Sequence, residues 1–263
     1  MLGRLTDSTA LRFLGSVIIW SWILVWGTLM AVAGLLLFLP FNPWVDPQRR
    51  MMERLNWLWG RGAFWSTPGI KVELVGGEWL KSNPGPYVIC ANHASVAEIP
   101  LLLSLLPPLK TIAKGPLFWT PPIGLQMRLA GHIPAGRGEP GDAERVLEHA
   151  KLWLGRGVHI LVFPEGTRSP DGRVQRFGQG PFVLAARAGV PVLPVAISGS
   201  HQVLPKSSFL YRLRGHLRVQ VLEPVKVEGE PRAVASRVRA RIMEALGQQR
   251  PESAALPGAA TPP

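Results

Sequence analysis

The stretch PYVICANHASVAEIPLLLSLL, Pro86 to Leu106, changes its character halfway along, and that change points to the fold. Its first part, through Asn92, is a short apolar run with β-branched residues, the signature of a buried strand. Its last part, from Ile99, is leucine-rich and reads as the start of a helix. Between them lie a histidine, His93, and an acid five positions on, Glu98.

The same succession recurs along the chain. IKVELVG (70–76), LKTIAK (109–114), HILVFPEG (159–166), VPVLPVAI (190–197) and HLRVQVLEPVKV (216–227) read as strands. PPIGLQMRLAG (121–131), GDAERVLEHAKLWLGRG (141–157), GPFVLAARAG (180–189) and PRAVASRVRARIMEALGQQ (231–249) read as helices. The second of these is the clearest amphipathic helix, with Asp142 near its start and Gly157 past its end. Strands alternating with helices predict an α/β fold, a mostly parallel sheet flanked by helices. The chain of 263 residues is long enough for one such domain. It is expected over 67–249, followed by a disordered tail, 250–263, that lacks any apolar pattern.

The first 66 residues are of another kind. Phe13 to Leu39 contains no charged residue. As a helix it would reach about 40 Å, beyond a hydrocarbon core of about 30 Å. It is expected to span with tilt, or to break near Gly27 and lie partly in the interface. A signal peptide is the competing reading, since Ala31-Val32-Ala33 mimics a cleavage site, but the apolar run continues past it to Leu39. Pro40 and Pro43 stop the helix. Trp44, Trp57, Trp59 and Trp65 follow, interleaved with arginines, and read either as an interfacial helix or as aromatic packing on the domain.

The formal charge of +12, from 29 Lys and Arg against 17 Asp and Glu, favours polyanions. With an apolar segment present, anionic lipid is the simpler partner and nucleic acid has only the charge in its favour. The single cysteine, Cys90, excludes an intramolecular disulfide and reads as a small core residue.

On a continuous helix, five residues would set His93 and Glu98 about 140° apart. A turn after the strand can bring them together. The carboxylate would then fix one ring nitrogen, and the other could take a proton from a hydroxyl, giving a general base without a protein nucleophile. The plainer reading is a strand-end histidine with a helix-capping glutamate. The other histidines are scattered, and no cluster offers the ligands of a metal site. In FPEGTRS, Phe163 to Ser169, Gly166 admits close backbone approach, Thr167 and Ser169 offer hydroxyls, and Arg168 offers a fork suited to phosphate. The alternative is a solvated turn.

Four ordered blocks resemble the glycerolipid acyltransferase family, specifically the bacterial 1-acylglycerol-3-phosphate acyltransferases. Asn92, His93 and Glu98 match the first, with glutamate where most members have aspartate. GHIPAGR (131–137) keeps Gly131 and Arg137 of the second, with Pro134 for Phe and Gly136 for Asp. FPEGTRS matches the third completely, and VPVLPVAI the fourth with Pro194 in place. AKGPLFWTPPIG (113–124) resembles the family's Lys-x-x-Leu-Phe segment. The likeness covers roughly residues 70 to 225.

The resemblance implies transfer of an acyl group from acyl-CoA or acyl-carrier protein to the 2-hydroxyl of lysophosphatidic acid, with no cofactor and no metal. It implies His93 as base and Glu98 as its orienter. Arg137 and Arg168 would hold the phosphate, with Lys114 a third cation and Asn92, Glu165, Gly166 and Thr167 completing the substrate site. Glu165 could order Arg168 or contact the glycerol hydroxyl. It further implies membrane lipids as surroundings, an inner membrane location and a catalytic domain on the cytoplasmic face. Other lysophospholipids, a lyso-ornithine lipid or glycerol-3-phosphate are alternative acceptors. A hydrolase using the same pair, or a non-catalytic membrane-anchored lipid-binding protein, are further readings.

Overall fold

The computed structural model describes residues 8–136 and 141–248. The tail expected to be disordered lies outside the described residues. Helix α1 (Thr9–Phe38) and helix α2 (Arg50–Trp65) come first, then strand β1 (Ile70–Val75), helix α3 (Gly77–Ser82), strand β2 (Val88–Ala91) and helix α4 (Glu98–Leu105). Strand β3 (Leu109–Lys114) leads through a 3₁₀ turn (Gly115–Trp119) to helix α5 (Ile123–Ala130), strand β4 (Ile133–Ala135) and helix α6 (Asp142–Gly155). Strand β5 (His159–Val162), helix α7 (Gly180–Ala188), strand β6 (Val192–Ser198), helix α8 (Ser200–Val203), strand β7 (Gly215–Val221) and helix α9 (Pro231–Ala245) complete the chain.

The strands form one seven-stranded sheet in the order β1-β7-β6-β2-β5-β3-β4. Every pair is parallel except β6 with β7. Central strand β2 lies between β5 and β6, which follow it by more than sixty residues, so its carboxyl end faces a switch in strand order. Such a switch is where open α/β sheets bind ligands.

Side chains alternate across the sheet as a pleat requires. Val88, Cys90, Ile160, Val192 and Ala196 join one core, packed with Leu147, Phe182 and Val238 from α6, α7 and α9. Ile89, Ala91, Leu161, Leu193 and Val195 join the other, with Leu101, Leu102 and Leu103 of α4. Both faces are covered, which explains why these strands read as continuous apolar runs. Cys90 is fully buried, and burial pushes its thiol pKa up.

Two sequence strands end early. HILVFPEG leaves the sheet at Val162, before Pro164, and HLRVQVLEPVKV leaves at Val221, before Pro224, with Val225 making only an isolated bridge to Val192. Pro194 is tolerated inside β6 because pairing with β7 begins only at Val195. The short β4 and α3 carried too few residues to show a period.

Helix α1 is unbroken at Gly27, about 45 Å long for its 30 residues. It is the one described helix long and apolar enough to cross a membrane. The body holds it along its length. Arg12 Nε donates to the Tyr211 carbonyl at 3.3 Å, Trp20 Nε1 to Phe209 at 2.8 Å and Trp22 Nε1 to Gly62 at 2.7 Å. A Cβ on Gly34 would lie 2.6 Å from Gln126 Oε1 of α5. Its opposite stripe, including Leu14, Ile18, Val25, Leu29, Val32 and Leu36, is exposed.

In helix α2, Trp59 packs into the cores, while Trp57 and Trp65 face outward. Its inner face carries Glu53, which pairs with Lys110 of β3, both buried. Burial pushes the Glu53 carboxyl pKa up, while the Lys110 ammonium beside it opposes the rise. Lys110 Nζ also lies 4.5 Å from the Trp153 ring centre.

Candidate active site

The five strands β2 to β6 run the same way, so residues 92–98, 163–169 and 199–201 all emerge at one edge. The turn after β2 brings His93 and Glu98 together: Nδ1 lies 2.7 Å from Oε2. Glu98 starts α4 and its side chain folds back over the turn. Oε1 accepts from Ala94 N at 3.0 Å, Ser95 N at 3.1 Å and Ser200 Oγ at 2.5 Å, and Oε2 also accepts from Ala94 N at 3.1 Å. The carboxylate is fully buried, yet every neighbour is a donor. The imidazole therefore meets an acceptor and carries its proton on Nδ1. Nε2 has no partner among the described residues, and the ring, 14% exposed, stacks on Phe163 at 4.0 Å between centroids. The glutamate's additional methylene is thus absorbed by the fold-back, and the side chain bonds the turn before α4 rather than capping the helix.

Asn92, grouped with substrate-binding residues by resemblance, is committed to the scaffold. Its amide donates to the Ile197 carbonyl at 2.9 Å and accepts from Ile197 N at 2.7 Å, with the residue buried. The side chain extends the β2–β6 ladder past its last pair, Ala91 with Val195.

Glu165 makes no bond to Arg168 among the described residues and instead accepts from the backbone around it. Oε1 accepts the His93 N–H at 2.8 Å and Oε2 the Gln175 N–H at 3.0 Å. Burial pushes its carboxyl pKa up to about 7, against the pull of those two N–H groups. Ser169 is likewise internal: its N–H donates to the His93 carbonyl at 2.7 Å and its hydroxyl to Asp171 at 2.9 Å. The third block thereby clamps both backbone groups of His93.

Gly166 turns this loop with φ +68°, and the space where a Cβ would stand is open. Thr167 is exposed. Arg168 is partly buried, and its guanidinium has neither ion pair nor hydrogen bond among the described residues. The N–H groups of Thr167 and Arg168 also lack acceptors there. Unpaired N–H groups beside a free guanidinium suit an anion.

Lys206 was missed in the sequence. Its Nζ donates to the Arg168 carbonyl at 2.7 Å and to Thr167 Oγ1 at 3.2 Å, setting an ammonium against the loop. It sits in an unpatterned loop, so no sequence signal marks it. Lys114 is exposed at the end of β3, the neighbour of β5, and no contact ties it to Arg168. Arg137 lies outside the described residues.

Two other histidines are internal. His132 Nδ1 accepts from Thr111 N at 2.9 Å, and burial, with the Lys110 and Arg49 charges, lowers its pKa to about 3. His159 Nδ1 accepts from Tyr87 N at 3.2 Å, and burial lowers its pKa to about 4.

Comparison with known proteins places the chain in a family. A family model described as Acyltransferase matches residues 71–198. A chloroplastic 1-acyl-sn-glycerol-3-phosphate acyltransferase, LPAT1, of Arabidopsis thaliana is 33% identical over 208 residues, 79% of this chain. The chain spans only 58% of that relative's length. A 1-acyl-sn-glycerol-3-phosphate acyltransferase of Pseudomonas aeruginosa is 32% identical, with 86% of each chain covered. The crystal structure of the 1-acyl-sn-glycerophosphate (LPA) acyltransferase PlsC from Thermotoga maritima superposes with a TM-score of 0.72 at 27% identity, covering 92% of this chain and 98% of that one. The chain belongs to the acyltransferase family in which these 1-acyl-sn-glycerol-3-phosphate acyltransferases are found.

Proposed function

We propose that the protein moves a fatty acyl group from acyl-CoA or acyl-carrier protein to the 2-hydroxyl of lysophosphatidic acid, forming phosphatidic acid. The observation that carries this reading is the His93 Nδ1 contact with Glu98 at 2.7 Å, which leaves Nε2 open beside the Arg168 loop. Nε2 takes the hydroxyl proton while the oxygen attacks the thioester carbonyl carbon. Glu98 stabilises the imidazolium that forms. The tetrahedral intermediate collapses with cleavage of the carbon–sulfur bond, and the imidazolium returns its proton to the departing thiolate. The Arg168 guanidinium, Lys206 and the Thr167 hydroxyl bind the acceptor phosphate, with Arg137 and Lys114 as further cations. In this reading Glu165 holds the His93 N–H and Asn92 holds the backbone of Ile197, rather than the substrate.

The exposed stripe of α1 gives the protein an apolar membrane-facing side. Phe209 (81% exposed) and Trp65 (74% exposed) flank it, packed against Trp20 and Trp22 respectively. The chain from Lys206 to Tyr211 runs from the Arg168 loop to α1, so the acceptor site opens close to that side. Because the body holds the other side of α1, the helix meets lipid with one stripe rather than all round. The inner membrane and its cytoplasmic face, where thioester donors are made, are the location this reading requires.

The test is acyl transfer from a labelled thioester to a panel of acceptors with and without a phosphomonoester. Arg168→Ala should raise KM for lysophosphatidic acid by tenfold or more and leave donor KM within about twofold, the scale of one charge-assisted contact. His93→Ala should lose about 10²–10⁴ in kcat. Equal loss for donor and acceptor in Arg168→Ala, or near-parental turnover in His93→Ala, would sink the assignment.

A further inference from the structure

The Glu98 carboxylate receives five hydrogen bonds, and four of them come from its own turn: His93 Nδ1, Ala94 N twice and Ser95 N. The fifth comes from a residue 102 positions on, Ser200 Oγ, at 2.5 Å from Oε1. We propose that Ser200 is a positioning residue of the reaction, completing a His93–Glu98–Ser200 relay. The inference rests on the functional reading above.

Ser200 is 2% exposed and sits just past the end of β6. Gly199 makes the delivery possible. It has φ +85°, and a Cβ there would stand 1.8 Å from the His216 carbonyl oxygen, so only glycine can turn the chain back at this point. Two residues earlier in the same strand, Ile197 holds Asn92. The end of β6 thus grips both ends of the catalytic turn, through the Ile197 backbone at Asn92 and a hydroxyl at Glu98.

The chemistry gives the hydroxyl a specific task. A glutamate has one more side-chain torsion than an aspartate, so its carboxylate can rotate away from the imidazole. The Ser200 hydroxyl fixes Oε1 and thereby keeps Oε2 on Nδ1. Removing it should misalign the base without touching either substrate.

Ser200→Ala is therefore expected to lower kcat about ten- to hundredfold, the scale of one hydrogen bond to a charged group. KM for both substrates should stay within about twofold. In a double-mutant cycle, Ser200→Ala should cost nothing further in a Glu98→Gln background. A second readout does not depend on activity: the low-field proton signal of the His93 Nδ1–H, assigned by its loss in His93→Gln, should shift or broaden in Ser200→Ala. Unchanged kcat and an unaltered Nδ1–H signal would overturn the proposal. Additive losses in the cycle would overturn it as well. If the wild type transfers no acyl group to any acceptor, the functional reading fails, while the proton signal still decides the Ser200 contact.

Discussion

Asn92 offers a direct way to separate scaffold from substrate contact. Its amide bonds both the N–H and the C=O of one residue, Ile197, and both Asn92 and Ile197 are almost fully buried. Asn92→Ala would strand a buried N–H and a buried C=O, each costing about 1–3 kcal/mol when unsatisfied. Water entering the vacated space offsets part of this, which leaves a loss of about 2–4 kcal/mol. For a chain of this size that corresponds to a Tm lower by roughly 5–15 °C. Asn92→Asp should behave differently. Its carboxylate still accepts the Ile197 N–H but turns a second oxygen toward the Ile197 carbonyl, so the ionised form is disfavoured in the fold. The variant's folded pKa is then raised above its unfolded value, its native state binds more protons, and its stability falls as pH rises from about 4 upward. Thermal unfolding in detergent micelles at several pH values reads both variants, with KM for each substrate measured alongside. A parental Tm together with a raised acceptor KM in Asn92→Ala would show that the side chain contacts substrate and that the clamp has been misread.

Lys110→Met should destabilise by about 3–5 kcal/mol, because Glu53 would keep a buried carboxylate without its counter-charge. Lys110→Met combined with Glu53→Leu should recover most of that loss in denaturant unfolding, and full additivity would argue against the pair as described. A third prediction concerns pH. His132 and His159 have folded pKa values lowered to about 3 and about 4 from 6.5, so the unfolded chain binds more protons and stability falls as pH drops below about 6.5. Glu165, raised from 4.5 to about 7, has the opposite sign: it contributes stability below about 4.5 that is lost as pH rises to about 7. Glu165→Gln removes that opposing slope, so stability should climb more steeply with pH between about 4.5 and 7 in the variant than in the parent. Identical slopes from urea unfolding would refute the burial assigned to Glu165.

The contrast between Glu165 and Arg168 shows where sequence reading stops. Both belong to one seven-residue block, and both were expected to serve the substrate. One faces inward to the backbone of His93 and the other is left without a partner. Nothing in their order along the chain distinguishes them, because the direction of a loop side chain depends on what packs beneath it. Lys206 and Ser200 were invisible for a related reason. Lys206 reaches Thr167 and Arg168, 39 and 38 positions away, Ser200 reaches Glu98, 102 positions away, and a lone lysine or serine carries no periodicity.

By itself the sequence determined the alternation of strands and helices, the apolar first helix and the pairing partners His93 and Glu98, because periodicity and short-range turns are local properties. The parallel order of the strands, the antiparallel β7 and the convergence of three distant loops at one sheet edge were decided only by tertiary structure. So was the lie of α1. Hydropathy gives its length and apolarity, but which stripe stays exposed depends on the indole and guanidinium groups that bind its other side to the body. Those contacts join residues about 40 to 200 positions apart, and such pairings exist only once the chain has closed on itself.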